Sequence, residues 1–77
     1  MEALTIARKR YWKILEETGD YVSWESEGGK DGVMNASLDY LLHEAACWAD
    51  NHDNGDDDDY ERKAAAKYRR FINRFSN

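Results

Sequence analysis

Apolar residues recur along this chain at three- and four-residue spacing in three separate stretches. In the first, Ala3, Leu4, Ala7, Tyr11, Ile14 and Leu15 share one stripe when the backbone turns by about 100° per residue, which predicts a helix over residues 2–17. Ile6 and Trp12 fall outside that stripe. Thr18, Gly19 and Asp20 end the helix, with Gly19 placed for a left-handed C-terminal cap. In the second stretch Leu38, Leu41, Leu42, Ala45, Trp48 and Ala49 predict a helix over residues 37–50, with Asn35 or Ser37 offering a side-chain oxygen to the free amides of the first turn. In the third, Tyr60, Ala64, Tyr68, Phe71, Ile72 and Phe75 predict a helix over residues 57–75, and acids at its start with bases at its end suit the helix dipole.

Residues 20–35 lack this period. Tyr21, Val22, Ser23 and Trp24 alternate weakly like a short strand before Gly28, Gly29 and Gly32 interrupt regular structure, which predicts a loop with one strand-like turn. Between the second and third helices, six aspartates fall in residues 50–59, and Asn51 and Asn54-Gly55 favour a turn. The expected fold is all-α, a small three-helix bundle with a minor strand-like loop, in one domain over residues 1–77. The absence of proline agrees with it. At 77 residues a lone core is close to marginal, which leaves room for a homodimer or a partner-stabilised monomer.

Composition narrows the setting. Cys47 is the single cysteine, so no internal disulfide can staple the fold, and a reducing cytoplasm is the expected location. No signal-peptide pattern or run of about 18 apolar residues is present, so no membrane role is expected. The net charge of −5 conceals three blocks. Residues 1–15 carry Arg8, Lys9, Arg10 and Lys13 against Glu2; residues 16–61 carry fifteen acids against Lys30; residues 62–77 carry six bases and no acid.

Several constellations offer chemistry. Asp50, Asn54, Gly55, Asp58 and Glu61 stand at positions one, five, six, nine and twelve of a twelve-residue segment between two predicted helices. To that extent the segment resembles an EF-hand calcium loop, and the resemblance implies a calcium site formed by Asp50, Asn54, Asp58 and Glu61. It departs from that pattern with His52 at position three and Asp57 at position eight, and there is no second loop. Asp39, His43 and Cys47 are four residues apart and line one face of the second helix, which supplies a thiol, a base and a carboxylate without the convergence of a catalytic pocket. No enzyme activity, cofactor or resident metal is expected from the remaining residues. Lys63, Lys67, Arg70 and Arg74 form a basic stripe on the third helix that suits phosphates. The acidic balance of the chain disfavours direct nucleic-acid binding.

The leading expectation is a non-enzymatic interaction protein, an inhibitor or adaptor. Its docking surface would be acidic, formed by Glu44, Asp50, Asp53, Asp56, Asp57, Asp58, Asp59 and Glu61, with Trp12, Trp24 and Tyr40 as aromatic anchors. The partner class is a protein with a basic groove, such as a nucleic-acid-binding protein. The sharpest form is imitation of nucleic acid, as practised by small acidic anti-restriction and anti-CRISPR proteins of phages and mobile elements.

Overall fold

The computed structural model describes residues 3–55 and 59–76. The chain is all-α, as the periodicity predicts: α1 (Ala3–Thr18), a 3-10 helix (Asp20–Glu27), α2 (Lys30–Asn35), α3 (Leu38–Asp53) and α4 (Asp59–Phe75), with no strand among the described residues. The three predicted helices are α1, α3 and α4. None of the helices is long and apolar enough to cross a membrane, among the described residues. Contacts divide the chain into two compact units, Met1–Leu41 and Leu42–Asn77.

In the first unit α1 packs against both the 3-10 helix and α2, which also touch one another. The predicted stripe of α1 buries Ala7, Tyr11, Ile14 and Leu15, and Thr18 joins it by donating its hydroxyl to Ile14 O at 2.9 Å, while Ala3 is exposed. Gly19 follows with φ of 82°, the left-handed conformation expected where the helix stops.

The expected strand-like turn is a helix, for a physical reason. A lone strand here would have no neighbour to take its amides, whereas a 3-10 helix satisfies its backbone within eight residues. Its three-residue repeat turns Trp24 inward, between Tyr11 at 6.4 Å and Tyr40 at 5.8 Å, both edge to face. Trp24 O then accepts from Gly29 N at 2.7 Å, and α2 starts one residue later. Gly32 allows the close approach, since a Cβ there would lie 2.2 Å from Glu27 O. Arg8 Nε donates to Ala36 O at 2.9 Å and ties α1 to the end of α2. Of the two candidate caps for α3, Ser37 acts: its Oγ accepts from Tyr40 N at 3.1 Å, while the Asn35 amide turns back to Asp31 O.

The second unit is a helical hairpin of α3 and α4. Helix α3 runs to Asp53, three residues beyond the predicted end, because His52 extends the buried stripe of Ala45 and Ala49. The His52, Trp48 and Tyr68 rings lie nearly parallel within 6.0 to 6.3 Å of each other, and Tyr60 meets His52 edge-on at 6.2 Å. Helix α4 buries Ala64, Ala65, Tyr68 and Phe71, whereas Tyr60, predicted on that apolar face, is 53% exposed.

Candidate functional site

Three of the described carboxylates of the acidic segment have partners in their own unit. Asp53, at the end of α3, receives a forked hydrogen bond from the Arg69 guanidinium of α4, and this contact, which outweighs the opposing desolvation and is helped by the charges of Arg69 and His52, holds its carboxyl below the ordinary carboxylate value. The same pair raises the pKa of Arg69. Asp59 pairs with Arg62 one turn along α4. Glu61 Oε1 accepts from His52 Nδ1 at 2.9 Å, with the imidazole 8% exposed. Glu44 is half-buried on α3, and Asp50 is exposed on the same helix. Asp56, Asp57 and Asp58 lie outside the described residues. Within the expected acidic surface, Asp53, Asp59 and Glu61 thus each have a cationic or imidazole partner in their own unit.

The residues of the expected calcium loop are distributed over two helices and the segment between them, with Asp58 outside the described residues. Its first ligand position, Asp50, lies inside α3, and its last, Glu61, lies inside α4 and is engaged by His52. The backbone N–H of Asn54 donates to Asp50 O at 3.0 Å and closes the end of α3. Among the described residues no group of three or more His, Cys, Asp or Glu side chains is arranged to hold a metal ion.

The aromatic anchors separate. Trp24 is 2% exposed and belongs to the core, which corrects its assignment to a docking surface. Trp12 is half-buried, with the Tyr21 ring edge-on at 6.3 Å. Tyr40 is 39% exposed and donates its hydroxyl to Glu27 Oε1 at 3.4 Å. Tyr21 and Val22, 43% and 55% exposed on the 3-10 helix, were hidden from sequence reasoning by the strand assignment.

On α4, Lys63, Arg70 and Arg74 are exposed, Lys67 is half-buried, and the Arg74 guanidinium lies 5.5 Å from the Phe75 ring centre. On α3, Cys47 Sγ lies 3.8 Å from His43 Nε2 on an exposed face, and Asp39 is exposed one turn before His43. His52 is the buried polar residue that its position did not advertise: it continues the 45, 49 stripe of α3, a signal obscured by the aspartates around it. Compared with known proteins, the chain matches no family model, no curated protein and no solved structure.

Proposed function

We propose that this chain is a non-enzymatic interaction protein that docks on a basic protein partner through an acidic surface with exposed aromatic residues, centred on the 3-10 helix and the start of α3. One juxtaposition supports it: Tyr40 meets Glu27 at an exposed surface, in a unit where Glu25 and Asp39 are exposed as well. Neither Glu25 nor Asp39 takes part in the ion pairs seen among the described residues. Between Lys13 and Arg62 the chain offers a single cationic side chain of the Lys or Arg type, Lys30, so the sequence around this surface supplies little internal neutralisation. Exposed tyrosines bury large area on binding at small entropic cost, and neighbouring carboxylates steer a cationic partner toward them. A nucleic-acid-binding protein has such a basic groove, which makes imitation of nucleic acid the specific form of this function. The exposed Cys47 thiol suits a reducing compartment such as the cytoplasm.

The test compares proteins retained from a cell lysate by the immobilised chain with those retained by two variants. Reversing Glu25→Lys, Glu27→Lys and Asp39→Lys together removes the retained partner, while Asp53→Asn with Asp59→Asn, which alters acids already paired, leaves it bound. Equal retention by the triple reversal ends this assignment.

A further inference from the structure

A second surface of opposite charge lies on the first unit. Lys9 and Lys13, and Trp12 and Glu16, stand four residues apart along one side of α1, and across from them stand Lys30 and Met34 of α2. Together they line an open groove of about 370 Å3, within the range of small-ligand and peptide-anchor sites. Its floor is apolar: the half-buried Trp12 ring, braced by the edge of Tyr21, and the half-buried Met34, a flexible side chain that adapts to varied apolar shapes. Its rim is cationic: Lys9, Lys13 and Lys30 are exposed, and none of the ion pairs seen among the described residues involves them. The bond from Arg8 Nε to Ala36 O clamps α1 to the end of α2, so the two walls are held before anything binds.

We propose that this groove binds a short acidic peptide segment with one apolar anchor, the anchor lying on Trp12 and Met34 and flanking carboxylates meeting Lys9, Lys13 and Lys30. Charge complementarity selects an anion, and the apolar floor selects one with a hydrophobic side chain. The surroundings select a short one. Glu16 lies on the rim, Glu17 follows it at the end of α1, and Asp31 adjoins Lys30, so a nucleic-acid strand continuing past the groove would bring its phosphates against carboxylates. A peptide can place two or three acids around its anchor and be neutral beyond them. This face differs from the acidic one in residues and in sign, so the two can fail independently.

The test uses fluorescence anisotropy with three labelled probes: a peptide of aspartates and glutamates around a central phenylalanine, the same peptide with glycine at the centre, and a single-stranded oligothymidylate. The phenylalanine peptide binds saturably to the wild-type chain, and the glycine peptide and each of Lys9→Glu, Lys13→Glu and Lys30→Glu weaken binding about tenfold. Trp12→Leu, with an unchanged circular dichroism spectrum, weakens it similarly. Glu16→Gln tightens binding, a gain that a misfolded variant cannot produce. Absence of saturable binding by the phenylalanine peptide, indifference to the lysine reversals, or tighter binding of oligothymidylate overturns the assignment.

Discussion

Two residues of the first unit show how single side chains, or their absence, set the local path. Trp24 alternates with polar neighbours and so imitates a strand in the sequence, yet it serves as the inward-facing residue of a 3-10 helix, packed between Tyr11 and Tyr40. Gly32 makes that helix compatible with α2. A Cβ at residue 32 would lie 2.2 Å from Glu27 O and 3.3 Å from Trp24 Cε3, and the first of these is backbone that cannot rotate away. Gly32→Ala is therefore expected to separate α2 from the 3-10 helix and to cost about 1 to 3 kcal/mol, as overpacking does elsewhere. Urea unfolding followed by circular dichroism measures the loss. A midpoint equal to or above the wild type, as the usual helix-favouring effect of alanine would give, contradicts the close approach.

At the level of elements, the legible part of the fold was what periodicity governs. Helices α1, α3 and α4 were visible because a buried stripe repeats over four turns or more, and Ser37 was visible as a cap because its chemistry is local. The end of α3 was not, because six aspartates in ten residues suggest repulsion while the compensating cation, Arg69, lies sixteen residues beyond Asp53. The same long-range pairing hid the fate of Asp53, and the nine residues between His52 and Glu61 hid theirs, whereas Asp59 and Arg62 stand one turn apart on the predicted third helix.

The Asp53–Arg69 contact joins α3 to α4 and carries a pH signature. Because the folded carboxyl is held below its ordinary value of 3.8, its contribution to stability is complete above that value and is lost as the pH falls through the depressed folded value. Arg69→Gln is expected to return the Asp53 titration upward toward the ordinary value and to remove this share of the acid-side loss. Carboxyl-detected NMR titration reads both chains directly, and an unchanged Asp53 midpoint would show that the guanidinium does not set it.

Across the whole molecule, the described charges of the basic, acidic, basic sequence fall into those held in ion pairs and those exposed outside them. In the second unit Asp53 pairs with Arg69 and Asp59 with Arg62, while Asp50, Lys63, Arg70 and Arg74 are exposed outside the ion pairs seen among the described residues. In the first unit Arg8 is turned to a carbonyl, and Lys9, Lys13, Lys30, Glu25 and Asp39 are exposed outside the ion pairs seen among the described residues. Exposed pairs contribute little to stability and are easily screened, whereas a partner drawn by unpaired charges depends on them for its approach. Raising salt from about 0.05 M to about 0.5 M shortens the screening length from roughly 14 Å to roughly 4 Å. The urea midpoint of the chain is expected to move little over that range, while binding of the acidic phenylalanine peptide to the Trp12 groove weakens by about tenfold or more. The contrast separates charge used for folding from charge held for recognition. A chain that loses stability steeply with salt while its peptide affinity stays constant would have assigned its lysines and carboxylates the other way round.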